Sequence, residues 1–184
     1  MSKKNKIKNV QDTFLISQFN EMSENPKYWH NKAADLFTSS GVIWKAMNNQ
    51  EGLYAQCDAT YKMLMGMSFE ALLKGLCIES GQVTVEDLIS HDLVKISKFT
   101  DFTLNKTENK VLMLLSDYVK WAGKYPIPKN SGQLQQYRTM VDSTEFDKVN
   151  IGNFKASISN NVLDFEELSP LWRKFSDKLL ETIT

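Results

Sequence analysis

The sequence predicts an all-α fold, and three observations predict it. Punctuation is sparse: 184 residues include only eight glycines and four prolines, too few turn formers for a loop-rich β protein. Apolar residues recur at three- and four-residue spacing over long stretches, the period of a helix rather than a strand. At Asn25-Pro26 and Ser169-Pro170 a capping side chain stands just before a proline, the order in which helices begin.

The length fits one domain over residues 1–184 with a core of its own. Hydrophobic residues make up 42% and aromatics 11%, which excludes a disordered composition. Lys+Arg and Asp+Glu balance at 22 each, which argues against a wholly basic protein that coats nucleic acid. The one asymmetry is the start, where Lys3, Lys4, Lys6 and Lys8 crowd together. Residues 1–9 are expected to form a basic flexible tail, with weak phosphate contact as the alternative.

Cys57 and Cys77 fall in one expected helix, about 30 Å apart along its axis. A disulfide needs Cα atoms within about 7 Å, so no internal bridge is expected, and two thiols suit a reducing cytoplasm. No apolar run approaches the ~20 residues of a membrane span. Phe14, Leu15 and Ile16 are too short a run for a signal-peptide core. The expected location is the cytoplasm, away from membranes.

Residues 10–22 suit a short helix with Phe14, Ile16 and Phe19 partly inward. Asn25-Pro26 opens a helix over about 27–48 with Trp29, Ala33, Leu36, Phe37 and Trp44 on its apolar stripe, and Gly41 as a kink point. Asn48-Asn49 and Gly52 mark a turn. The central helix follows over about 53–79, with Tyr54, Tyr61, Met65, Leu72 and Leu76 on one face. Ser68, Ala71 and Gly75 form a strip of small residues that admits a close neighbour, and Gly81 suits the left-handed cap.

Residues 84–88 read as a turn or short helical piece. Ser90 caps a helix from about His91 to Phe99, and Asn105 or Thr107 starts another carrying Val111, Leu114, Leu115, Tyr118 and Ala122. Gly123, Pro126 and Pro128 stop it. Residues 130–165 carry the weakest pattern, an extra irregular segment with some helix over Gln133–Val141. Ser169-Pro170 then opens a last helix with Leu171, Phe175, Leu179 and Ile183 inward.

Three groups bear on chemistry. Glu70 and Lys74 stand one above the other on a helix, either as a plain ion pair or as part of a polar site facing His91 or a phosphate. His91-Asp92 heads a helix: Asp92 suits the dipole there, and His91 can donate to a carboxylate such as Glu70. Lys124-Tyr125 follows Trp121 at a helix end, either as a helix stop or as an aromatic, basic turn able to stack a base. Two histidines and two distant cysteines supply no zinc pattern, and no glycine-rich phosphate loop or nucleophile elbow is present. No cofactor or metal is expected.

The segments YKMLMGMSFEALLKGL, HDLVKIS and YVKWAGKYPIP together resemble the HEPN superfamily, the higher-eukaryote and prokaryote nucleotide-binding domains. The resemblance covers roughly residues 27–128, with the last helix a looser fit, and Lys124 stands where the family usually has arginine. It implies an up-and-down helical bundle, commonly a homodimer. It also implies a nucleotide, RNA or protein partner, such as a nucleotidyltransferase antitoxin, in a toxin–antitoxin or phage-defence setting.

Many HEPN proteins cleave RNA with an arginine placed four to six residues before a histidine. Here Arg138 and Arg173 both follow His30 and His91, so that motif is absent and no catalytic residue is assigned. Three readings remain: a non-catalytic binding domain with Glu70, Lys74, His91, Asp92, Lys124 and Tyr125 as its surface, a divergent RNA-cleaving toxin using His91, and a helical scaffold with no ligand.

Overall fold

The computed structural model describes the backbone of residues 3–81, 83 and 88–183, and side chains from residue 12 onward. The expected all-α bundle is what forms. Helices α1 (Lys3–Glu24), α2 (Pro26–Asn49) and α3 (Leu53–Glu79) lead to the short α4 (Leu93–Ser97) and to α5 (Lys106–Asp117). A π-helical turn (Tyr118–Ala122) extends α5; then come α6 (Ser131–Glu145), a hairpin of β1 (Phe146–Ile151) and β2 (Phe154–Ser159), and α7 (Phe165–Ile183).

The central helix is the axis of the molecule. Tyr61, Met65, Phe69, Leu72 and Leu73 are fully buried on it. α2 and α7 pack on one side of α3; α4, α5 and the π-helical turn pack on another. The strip of small residues works as expected. Ser68 Oγ donates to Ala33 O on α2 at 2.7 Å and accepts from Trp172 Nε1 on α7 at 2.7 Å. A Cβ on Gly75 would lie 3.0 Å from both Trp29 and Leu179. Tyr54, expected on the same inward face as Tyr61, is instead 49% exposed.

The helix starts follow their caps. Asn25 Oδ1 accepts from Lys27 N at 3.0 Å, and Asn105 and Glu108 form a reciprocal capping box. α2 runs unbroken through Gly41, where a Cβ would lie 2.9 Å from the Phe165 ring, so the glycine admits α7. Cys57 and Cys77 are both free thiols, and burial pushes Cys77 up to about 11.

Other expectations change, and Phe14, Ile16 and Phe19, expected partly inward, are 65, 61 and 65% exposed. α1 begins at Lys3, so the backbone of the expected basic tail is helical from there on. The His91 helix begins only at Leu93: Asp92, not Ser90, is the cap, accepting from Lys95 N at 3.0 Å. Residues 130–165 are regular rather than irregular, a helix capped by Asn130 followed by an antiparallel hairpin with Ile151 paired to Phe154. The last helix starts at Phe165, one turn before the Ser169-Pro170 pair. Within it Ser169 Oγ turns back to Phe165 O at 2.5 Å, while Pro170 stands inside the helix, past its first turn, and cannot donate a backbone bond there. The expected turn at 84–87 lies outside the described residues. No helix among the described residues is long and apolar enough to cross a membrane.

Candidate functional site

The expected contact between Glu70 and His91 is made. Glu70 projects from the middle of α3, and Lys74, one turn on, donates to its Oε1 at 2.6 Å. His91, in the stretch just before α4, places Nδ1 2.9 Å from Glu70 Oε2 and 3.0 Å from Oε1. The Lys74 and Glu70 side chains are 9% and 12% exposed, the His91 side chain 53%. A buried pair thus supports an open imidazole. With Nδ1 turned to the carboxylate, Nε2 is the nitrogen left for a ligand.

That imidazole lines a cleft of about 500 Å³ with Asp117, Lys120, Trp121, Lys129, Gln133 and Gln136, a volume within the range of small-molecule sites. Four stretches build it: the approach to α4, the end of α5, the π-helical turn, and α6 with the residues just before it. The π-helical turn carries Lys120 and Trp121; such turns recur at functional sites because they re-aim side chains within a helix. The Trp121 ring stands edge-on to Tyr137 with centroids 4.9 Å apart, and the Tyr137 hydroxyl donates to Tyr118 at 3.0 Å. On α6, Gln133 Oε1 accepts from Lys129 N at 3.1 Å, holding the amide at the cleft.

Charges of both signs meet at the cleft. Lys120 Nζ lies 3.6 Å from Asp92 Oδ2, both side chains being well exposed, a pair loose enough for Lys120 to turn to another partner. Burial, and then the nearby Asp92, push the Asp117 carboxyl above its ordinary value, although Lys120 pulls it down. Lys120, Lys129 and the imidazole thus share the cleft with the Asp117 carboxyl, while Asp92 and Glu70 stand beside Lys120 and His91.

The sequence surface is only partly assembled. Glu70, Lys74, His91 and Asp92 come together, whereas Lys124 and Tyr125 stand apart. Their backbone N–H groups close the π-helical turn on Trp121 O at 2.9 and 2.8 Å, while their side chains point to solvent and line no part of the cleft. Asp117, Lys120, Lys129, Gln133 and Gln136 are the residues that sequence reasoning misses. Lys120 beside Trp121 at a helix end is the one local signal; the α6 residues reach His91 only through the fold.

The other histidine is structural: His30 Nε2 lies 2.9 Å from Ser176 Oγ, and burial lowers its pKa. A second polar cluster forms where Lys62 Nζ meets Asp58 Oδ2 at 3.0 Å and Glu145 Oε2 at 2.8 Å. The adjoining cavity, about 10 Å³, has room for one water at most, so this cluster fastens α6 to α3. Among the described residues no group of three or more His, Cys, Asp or Glu is placed to hold a metal ion. Comparison of the chain with protein-family models, curated proteins and solved structures finds no match.

Proposed function

We propose that this helical domain binds a nucleotide or RNA through the cleft at His91. One observation carries the reading: an indole, two amides, two ammonium groups and an oriented imidazole converge on a single cleft. An indole offers a stacking surface to any base, amides can pair with its edges, and lysines meet phosphate. The resemblance to HEPN domains agrees with this and adds the expectation of a homodimer, a protein partner such as a nucleotidyltransferase antitoxin, and a toxin–antitoxin or phage-defence setting in the cytoplasm.

Calorimetric titration with a nucleoside monophosphate, and with a short single-stranded RNA at two salt concentrations, tests the reading. The expectation is binding that weakens with salt and falls at least tenfold in Trp121→Ala and Lys129→Ala. Affinity for both ligands that is unchanged in these variants, or no binding at all, refutes it.

The Glu70–His91 pair favours a second reading, RNA cleavage by a divergent site. A carboxylate that holds one ring nitrogen leaves the other to exchange a proton with a ribose hydroxyl, and Lys120 or Lys129 stands in for the missing arginine. RNA incubated with wild-type chain and with His91→Ala distinguishes the two: cleavage lost with His91 establishes the enzyme, and binding without cleavage in either supports the simple binding domain.

A further inference from the structure

The Asp117 carboxyl is the part of the cleft that phosphate binding does not explain. Lysines attract a phosphate, whereas a carboxylate beside it repels one. Two other carboxylates stand at this place, and both are taken. Glu70 accepts from Lys74 and faces His91 Nδ1. Asp92 caps α4 through Oδ1 and meets Lys120 through Oδ2. Asp117, half-buried as the last residue of α5, accepts no hydrogen bond from the described residues; Lys120 and Asp92 act on it through their charge alone. A carboxyl withdrawn from water normally finds donors. One left without them costs the fold stability, and such groups gather where ligands bind.

The surroundings say what supplies the donors. Asp117 and Trp121 are four residues apart on one helical stretch, so carboxyl and indole stand about one turn apart on the same face. A planar ring stacked on the indole brings its edge within reach of the carboxylate. On α6, Gln133 has its carbonyl oxygen committed to Lys129 N at 3.1 Å, so its amide offers the cleft N–H donors only. An acceptor-only carboxylate and a donor-only amide thus flank one stacking surface.

Among the nucleobases that pattern fits guanine. Its N1–H and 2-amino group are adjacent donors, which a carboxylate can take together, and its O6 accepts from an amide. Adenine and cytosine each set a ring-nitrogen lone pair beside their single amino group, and an ionised carboxylate repels that lone pair. Uracil flanks its one N–H with two carbonyl oxygens. Each leaves the carboxylate short of a donor, and a site built to pair with donors rejects a ligand that lacks them.

We infer that the cleft reads a guanine base, with Trp121 stacking it, Asp117 taking its N1–H and 2-amino hydrogens, and Gln133 donating to its O6. The inference rests on the nucleotide-binding reading and names the base, which is that of a free nucleotide or of an unpaired residue in RNA.

Calorimetric titration of the full chain with guanosine, adenosine, cytidine, uridine and inosine monophosphates tests it. Guanosine monophosphate binds at least about tenfold more tightly than each of the others. Inosine monophosphate, which lacks only the 2-amino group, is the closest comparison and needs no variant. Asp117→Asn keeps a urea midpoint no lower than wild type and changes the order. Xanthosine monophosphate, with a carbonyl oxygen in place of the 2-amino group, then binds better than guanosine monophosphate, because the new amide donates to it. Two short single-stranded RNAs, one all uridine and one with a single guanosine, read the source of the base. Tighter binding of the guanosine strand than of guanosine monophosphate supports recognition in RNA; the reverse supports a free nucleotide. Equal affinity for guanosine and inosine monophosphates overturns the guanine reading and leaves nucleotide binding standing. So does a preference for adenosine monophosphate, which a protonated carboxyl would give. A guanine preference that survives Asp117→Asn overturns the assignment to Asp117. A wild-type chain that binds neither nucleotides nor RNA overturns this inference and the nucleotide reading together.

Discussion

Glu70 accepts a 2.6 Å hydrogen bond from Lys74, a lysine only 8% exposed. Neighbours of this spacing on a solvated helix contribute a few tenths of a kcal/mol, but a buried cation deprived of its partner costs several. Glu70→Ala therefore destabilises the fold by about 3 kcal/mol, while Glu70→Ala combined with Lys74→Met recovers most of it. Urea denaturation reads both. A loss under about 1 kcal/mol for the single variant would mean that water screens the pair as it does at a surface.

Lys62 faces the same logic with two carboxylates. Burial pushes its pKa down, but the attraction and hydrogen bonds of Glu145 and Asp58 outweigh burial and leave it raised above 10.5. A lysine with a raised folded value gives stability that is whole below pH 10.5 and lost as pH climbs through that raised value. Lys62→Met should cost about 3–5 kcal/mol at neutral pH. The loss should shrink in strong acid, where carboxylates in general lose their charge. A pH-independent loss would assign the effect to packing alone.

Asp117 predicts the opposite slope. Its carboxyl titrates above the ordinary 3.8, first because it is buried. The folded state therefore holds the proton more tightly than the unfolded one, and stability falls as pH rises from 3.8 through the raised value. Asp117→Asn removes that slope and is more stable than wild type at neutral pH. Denaturant midpoints taken from acid to neutrality test this: two parallel curves would sink it.

Gly66 lies mid-helix, where alanine normally gains about 1 kcal/mol. Here a Cβ would sit 2.7 Å from Val119 Cγ2 and 3.0 Å from Leu115 O. The second contact is backbone and cannot swing aside, and overpacking of this kind costs about 1–3 kcal/mol. Gly66→Ala should therefore destabilise by about 1–2 kcal/mol net, seen as a lower thermal midpoint. A rise would show that α5 can retreat from α3.

Much of this architecture was legible because punctuation and period agree along α2, α3 and α5. Gly52 and Gly81 bracket α3, and both take positive φ, 82° and 65°. Asn105 and Glu108 announce α5 by their spacing. The hairpin was harder. Val149, Ile151, Phe154, Ala156 and Ile158 share one of its faces, joined by a Gly152-Asn153 loop, but the polar residues between them read as mixed sequence until the strands are paired. The expected contact of His91 with Glu70 followed from a histidine at a helix start and a carboxylate on the long helix before it. Lys129, Gln133 and Gln136 gave no such clue, because what joins them to His91 is the packing of α6 on α5, a property of the assembled chain.

The π-helical turn at Tyr118–Ala122 carries a consequence for how the cleft is encoded. Such a turn holds one residue more than α-helical spacing allows, and each residue advances a helix by about 100°. Deleting Val119 or Ala122 would return the turn to ordinary helical spacing and re-aim the residues beside the cut by up to about a quarter turn. Trp121 and Lys120 would then share no common cavity with His91, although no lining side chain had been altered. The cleft is specified by chain length at this point as much as by composition, so a scan by substitution would pass over the position that a single deletion exposes.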